Sequence, residues 1–265
     1  RVNNKKYGDY NKYIYVDGLT EYRDKGYYAT SMELTNPLFV RERNPEDMYL
    51  TKDAEKYLRK IIEYCQKKGI RIVLCTNPMY EIQPASTENY DNYADGIRKV
   101  AAEYGVPYYD FNMVRGECLP IQKPEYFMDA GHLNSKGAAL YSNFFHRVVS
   151  APEEENSEYF YSSYQEKMEK EKPEVYGLYC YLMEEAELQP GDEPDRNLKM
   201  TIAATRKDDI ECQIFLTPEG GETYMFQDFS ENREFCVPAQ EHGNCEIIWR
   251  ETGGGTEAGS LKISY

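Results

Sequence analysis

The sequence predicts an α/β domain followed by a small all-β domain, and three observations carry that expectation. Residues 51–150 alternate apolar-faced helices with short, β-branched runs. Residues 153–172 are highly charged and break the pattern. From Glu174 onward apolar residues recur at every second position between turn signals. The expected division is 1–150 for the α/β domain, 151–173 for a charged linker and 174–265 for the β-rich domain.

Residues 1–48 are polar and Tyr-rich, with a short strand expected at Tyr13–Val16 and turn chemistry at Asp17-Gly18, Asn36-Pro37 and Asn44-Pro45. Thr51 is a good N-cap. Ala54, Leu58, Ile61, Ile62 and Cys65 then recur at helical spacing, and Gly69 closes the helix. The run Ile70–Cys75 reads as a buried strand of a parallel sheet. A loop from Thr76 to Thr87 leads to a second helix over Glu88–Tyr104, with Ala94, Ile97, Ala101 and Tyr104 on one face and Gly105 as its stop. Val106–Phe111 is the next strand. Helix, strand, helix, strand in that order suits a parallel sheet with right-handed crossovers. The stretch Asn112–Gly131 is a long loop, a length usually reserved for function or disorder. A last helix begins at Asn134 or Ser135 and turns Ala138, Tyr141, Phe144, Phe145 and Val148 inward.

Beyond the linker, which has room for one amphipathic helix, strands are expected at Glu174–Leu182, Leu198–Thr205, Ile210–Thr217, Glu222–Gln227, Glu234–Val237, Cys245–Arg250 and Ser260–Tyr265. Turn signals at Pro190-Gly191-Asp192, Pro218–Gly221 and Gly253–Gly255 separate them. Short strands at this spacing suggest a β-sandwich of immunoglobulin-like type.

Composition narrows the function classes. The chain has 265 residues, 41% of them hydrophobic, enough for a packed core. A formal net charge of −15 repels phosphate backbones, so nucleic acid is not an expected partner. No run approaches the ~18 apolar residues of a membrane span. The first residue is Arg1 and no signal-peptide core follows, so a processed or truncated product is expected, with an upstream membrane anchor left open. The seven cysteines include no C-x-x-C pair, which argues against a zinc ribbon or a thioredoxin-like motif. Cys65 and Cys75 are expected to be buried free thiols; one bridge in the second domain stays open. No His/Cys/Asp cluster has zinc spacing and no Gly-rich loop joins a strand to a helix, so neither metal nor cofactor is expected. The 26 tyrosines suit half-exposed sheets, either as filling of a wet interface or as a sugar-binding surface.

The chemistry concentrates at one of the three histidines. His146 lies within the last helix and His242 in a polar turn, both surface settings. His132 stands in Asp129-Ala130-Gly131-His132-Leu133-Asn134, on a loop just before a helix. An Asp three residues before a His can fold back on a turn and accept Nδ1–H, leaving Nε2 as a base. Ligands of open α/β sheets sit beyond the carboxyl ends of the strands, where this loop falls.

Residues 126–145, with Asp129, His132, Leu133, Asn134 and Gly137, resemble the last conserved block of the SGNH/GDSL hydrolase superfamily, D-x-x-H-[LP]-[NS]-x-x-G. Ile70–Pro78 is similar to the strand and Pro-containing loop that precede that block. The nearest flavour is the bacterial cell-envelope branch, DltD-like or alginate-acetylation-like. The resemblance covers residues 50–150 and implies a flavodoxin-like three-layer fold with a Ser-His-Asp site for ester hydrolysis or O-acyl transfer. It implies an acylated carbohydrate or small ester as substrate and an extracytoplasmic or envelope setting; a cytoplasmic one stays open. The family's nucleophile sits in an N-terminal G-D-S or G-S-S block. Here Gly8-Asp9 is followed by Tyr10, and Ser31, Ser86, Ser135 and Ser142 lack that context. Asn77, an amide at a strand end, is the candidate oxyanion donor. Three readings stay open: the nucleophile lies upstream of Arg1, which the small number of strands favours; the chain is a non-catalytic relative; or the serine occupies an unusual place. A non-catalytic carbohydrate-binding or cell-surface interaction module is the competing function.

Overall fold

The computed structural model describes residues 19–24, 27–41, 49–151, 153–183, 198–239, 242–254 and 256–265. The strand expected at Tyr13–Val16, the Asp17-Gly18 turn, Gly8-Asp9-Tyr10 and the Asn44-Pro45 break lie outside them. The described chain mixes helices with several small sheets.

An antiparallel pair, β1 (Thr20–Asp24) and β2 (Tyr27–Thr30), comes first, followed by the short strand β3 (Leu38–Val40). Helix α1 (Lys52–Lys67) starts at Thr51, whose side chain accepts from the Ala54 N–H at 3.2 Å. Asp53 and Glu55 lie in its first turn and Lys67 in its last, as the helix dipole favours. Only Ile62 of this helix is buried, while Tyr57, Ile61 and Tyr64 are exposed.

Two strands, β4 (Leu74–Thr76) and β5 (Tyr108–Asp110), pair in parallel with Leu74 opposite Tyr108 and Thr76 opposite Asp110. Both are shorter than the apolar runs that encode them. Among the described residues each pairs only with the other, so half of each strand's backbone has no ladder to hold it. For the same reason Cys75, expected to be buried, is exposed. One-turn helix α2 (Ile82–Ala85) interrupts the expected loop, and α3 (Tyr90–Tyr104) follows it. Gly105, with φ 61°, caps α3 in the left-handed conformation that residue tolerates.

The long stretch after β5 is packed rather than free. A 3₁₀ turn (Phe111–Met113) opens it, Leu119 and Ile121 are buried, and Val114 bridges to Phe160. It ends in a tight hairpin, β6 (Phe127–Asp129) and β7 (His132–Leu133), and helix α4 (Ser135–Ser150). The segment expected as a charged linker contains α5 (Tyr164–Lys170), in which Tyr164 and Lys167 are buried.

The remaining strands match the period-two reading closely: β8 (Glu174–Leu182), β9 (Leu198–Thr205), β10 (Ile210–Pro218), β11 (Tyr224–Ser230), β12 (Glu234–Val237), β13 (Gly243–Glu251) and β14 (Gly259–Ser264). They form two four-stranded sheets, β11-β10-β13-β14 and β12-β9-β8-β3. Leu178, Met200, Ile214, Leu216, Ile247 and Trp249 meet in one core between them. Within the second sheet β3 runs parallel to β8, although more than 130 residues separate them in sequence. Gly177 makes this possible: its φ is 154°, and a Cβ there would run into the Pro37 carbonyl and side chain. All seven cysteines are free, with Cys180, Cys212 and Cys245 buried.

The β8–β9 face of this sheet packs on the helical part. Tyr176 and Ala203 share a cluster with Tyr80, Ile82, Phe111, Phe127, Phe144 and Val148, and the Tyr80 hydroxyl donates to the Tyr176 carbonyl at 2.8 Å. Among the described residues no helix is long and apolar enough to cross a membrane.

Candidate active site

Asp129 and His132 are directly opposed residues of the β6–β7 hairpin, joined by the two turn residues Ala130 and Gly131. Opposed residues of an antiparallel pair project on the same side, so the D-x-x-H spacing becomes side-chain contact. The His132 Nδ1 lies 2.9 Å from Asp129 Oδ1 and 3.1 Å from Oδ2. The Gly131 N–H donates to the same Oδ1 at 2.8 Å, a second hold on the carboxylate beside the imidazole.

The hairpin has a rigid seat. Phe127 is fully buried beneath it, and Ala130 and Leu133 belong to the same aromatic cluster. Asn134 caps α4, accepting from Lys136 N–H at 3.0 Å and Gly137 N–H at 3.1 Å. Its amide nitrogen donates to the Met32 and Glu125 carbonyls at 3.0 and 2.7 Å. Gly137 lets α4 approach so closely that a Cβ would collide with the Tyr126 carbonyl oxygen. The Leu-Asn-x-x-Gly run after His132 is thus a joint between hairpin and helix, with each residue type required by a contact.

From the other side, the loop after β4 holds the turn. The Tyr80 N–H donates to the Ala130 carbonyl at 2.8 Å, and the Gln83 side chain lies against Gly131. Asn77 begins this loop. Its Oδ1 accepts from the Tyr141 hydroxyl at 2.9 Å, so its amide nitrogen remains a donor with no partner among the described residues. His146 pairs with Ser150 on α4 at 3.4 Å, and the His242 carbonyl accepts from the Glu219 N–H at 2.8 Å. Neither approaches the hairpin through a hydrogen bond.

The four serines considered from sequence do not join His132. Ser31 Oγ donates to the Leu19 carbonyl at 3.3 Å, Ser86 is buried and donates to the Gln83 carbonyl at 2.7 Å, and Ser135 and Ser142 sit on α4. Among the described residues His132 has hydrogen-bond partners only on Asp129. The pair is open to solvent, with side-chain exposures of 73% for His132 and 51% for Asp129. Two clefts of the molecule, one around Asp110 and Asn156 and one against α5, are lined by other residues.

No family model, curated protein or solved structure matches this chain. The site therefore stands on its own geometry.

Sequence reasoning missed the buried polar framework behind the loop. Glu81 is fully buried and bonds the Lys167 ammonium at 2.5 Å and the Tyr164 hydroxyl at 2.6 Å. Lys167 also donates to the Asn112 carbonyl at 2.9 Å. Asn112 in turn accepts from Met79 N–H at 2.8 Å and donates to the Asn77 carbonyl at 3.1 Å. Gln122 closes the frame, accepting from Glu81 N–H and donating to the Met79 carbonyl, both at 2.9 Å. Beside it Asp110 accepts from the Tyr90 hydroxyl at 2.9 Å, the Tyr108 hydroxyl at 3.2 Å and the Asn112 N–H at 3.0 Å. Burial holds the Asp110 carboxyl above the usual carboxylate range despite those donors, and burial pushes the Tyr164 phenol well up. The only sequence signal for this frame is a charged residue, Asp110, inside the otherwise uncharged run Val106–Phe111.

Proposed function

We propose that the chain contributes the acid–base half of a serine ester hydrolase or O-acyltransferase that acts on acylated carbohydrate of the cell envelope. The observation that supports it is the Asp129–His132 contact, seated in a built hairpin at 2.9 Å. In this reading the helical part is the C-terminal portion of a flavodoxin-like SGNH domain, and the two-sheet unit is an immunoglobulin-like companion.

Asp129 fixes the tautomer with the proton on Nδ1, so Nε2 is the free base. Nε2 takes the proton of a serine hydroxyl as the oxygen attacks the ester carbonyl. Asp129 stabilises the imidazolium that results, and a positioned base of this kind contributes roughly 10²–10⁴-fold. The Asn77 amide nitrogen is the proposed donor to the oxyanion. His132 then returns its proton to the departing alkoxide, leaving an acyl-serine. Water completes hydrolysis, or a sugar hydroxyl completes transfer, with Nε2 again accepting the proton. In this proposal the nucleophilic serine lies upstream of Arg1, because none of the four serines considered joins His132.

A fluorophosphonate probe applied to the full-length gene product tests this. The expected result is labelling of one serine that falls at least 10³-fold in rate in His132→Ala. A folded full-length protein that takes no label contradicts the proposal. The second reading, a non-catalytic carbohydrate-binding or surface module, draws support from the openness of the pair to solvent. Label-free protein with intact glycan binding in His132→Ala favours it.

A further inference from the structure

A second concave site lies away from the hairpin, between α5 and the β9 side of the second sheet. Its volume of about 840 Å³ falls in the range of ligand pockets. One wall is Gln165, Met168 and Glu169 of α5, and the floor is Tyr179, Thr201 and Ala203. The rim is two turns, residues 206–209 between β9 and β10 and residues 231–233 before β12, with Glu234 at the start of that strand. We propose that this cleft binds a short, neutral oligosaccharide.

The rim is preformed, as a binding site needs to be. Arg233 is only 8% exposed and donates to the carbonyls of Ser230, Lys207 and Ile210, so one guanidinium ties both turns together. Arg206 adopts φ 45°, a left-handed conformation unfavourable for a residue with a Cβ. It is held there by its N–H on the Met168 carbonyl of α5 at 2.6 Å and by its side chain on Asp209 at 2.6 Å. Backbone strain of this sort persists where surrounding contacts impose it, and such places cluster at ligand sites.

The chemistry of the lining selects the ligand class. Five carboxylates (Glu169, Asp208, Asp209, Glu231 and Glu234) outnumber three cations (Arg206, Lys207 and Arg233), on a chain that already carries −15. Phosphates and polyanions are therefore repelled. Most of these groups are already bonded: Glu234 to Lys199, Asp209 to Arg206, Glu169 to Gln165. Three exposed rim side chains, Lys207, Asp208 and Glu231, have no hydrogen-bond or ion-pair partner among the described residues. They offer one donor group and two acceptor groups at a fixed rim. A sugar hydroxyl both donates and accepts, and so can engage all three. The half-buried Tyr179 ring in the floor has the Arg41 guanidinium 5.8 Å from its centroid, and its remaining edge adds apolar surface of the kind sugar rings pack on. This site is independent of the Asp129–His132 chemistry.

The test titrates the full chain with maltotriose, cellotriose and triacetylchitotriose, followed by saturation-transfer NMR. Tripolyphosphate and an uncharged extended heptapeptide serve as comparators. The expected result is saturable binding of at least one trisaccharide. That binding weakens at least tenfold in the double variant Lys207→Ala/Glu231→Ala, whose two side chains make no hydrogen bond or ion pair among the described residues, and stays unchanged in His132→Ala. Failure of all three sugars to bind, equal binding by the double variant, or tighter binding of the polyphosphate or the peptide overturns the proposal. Because His132→Ala is the control, loss of the esterase reading leaves this result intact, and the reverse also holds.

Discussion

Replacing Lys167 by Met should unsettle the molecule more than any surface charge change. Lys167 is 3% exposed and its partner Glu81 0%, with the ammonium and carboxylate 2.5 Å apart. Removing the cation strands a buried carboxylate whose remaining side-chain donor is the Tyr164 hydroxyl. It also removes a bond to the Asn112 carbonyl. Breaking one partner of such a pair costs about 3–5 kcal/mol, a large share of the ~5–15 kcal/mol that stabilises a typical domain. Neutralising both partners, as in Glu81→Gln/Lys167→Met, leaves no buried unpaired charge and should recover most of the loss. Urea unfolding measures all four corners of the cycle. Trp249, the chain's one tryptophan, is buried in the two-sheet core and reports on that unit, while far-ultraviolet circular dichroism follows the helices. A coupling of at least about 2 kcal/mol is expected, with both signals shifting together because α5 ties the two parts. Single variants that each lose under about 1 kcal/mol, or a double variant as unstable as the sum of the singles, would refute the reasoning.

Gly137→Ala should destabilise by about 1–3 kcal/mol through overpacking against the Tyr126 backbone, read as a lower urea midpoint; an unchanged midpoint contradicts the joint described for α4. The Asp110 carboxyl is held above the usual range by burial, so the folded state binds its proton more tightly than the unfolded chain. Its contribution is present at low pH and is lost as pH rises from the ordinary carboxylate value of about 3.9 through the raised folded value. Stability of the wild type minus that of Asp110→Asn should fall across that window and then level off; a rise would contradict the burial argument. Burial pushes Cys180 and Cys212 up to about 11 and Cys245 up to about 12, so native-state iodoacetamide labelling at pH 8 should spare all three and modify solvent-exposed Cys75 before them, although burial raises that thiol too. Rapid core labelling in the native state counts against the packing.

Local patterns were legible in the sequence; distant pairings were not. Strands β10, β12 and β13 could be read because alternation puts every second side chain into the core, whereas β8 and β9 are buried on both faces and were read from their apolar runs. The Asp129–His132 contact was legible for the same reason, since a two-residue turn brings both partners together within four positions. The β4 and β5 strands were overestimated, because an apolar run encodes burial rather than the ladder that makes it a strand. Cys75 shows the consequence, apolar in pattern yet exposed beside an unpaired edge. Lys167 and Glu81 lie 86 residues apart, and Lys167 sits in a run so charged that a solvated face was the natural reading. Likewise nothing near Leu38–Val40 announces that β3 belongs to a sheet whose other strands begin at Glu174.

Nitrogen-15 NMR of the imidazoles in this chain weighs most directly on whether the hairpin prepares a base. With three histidines the signals separate readily. In its neutral form, His132 should carry its proton on Nδ1 and present a bare Nε2, and that preference should vanish in Asp129→Asn while Trp249 still reports a folded core. A proton resting on Nε2, or a spectrum indifferent to the loss of the carboxylate, would mean that the hairpin orients nothing.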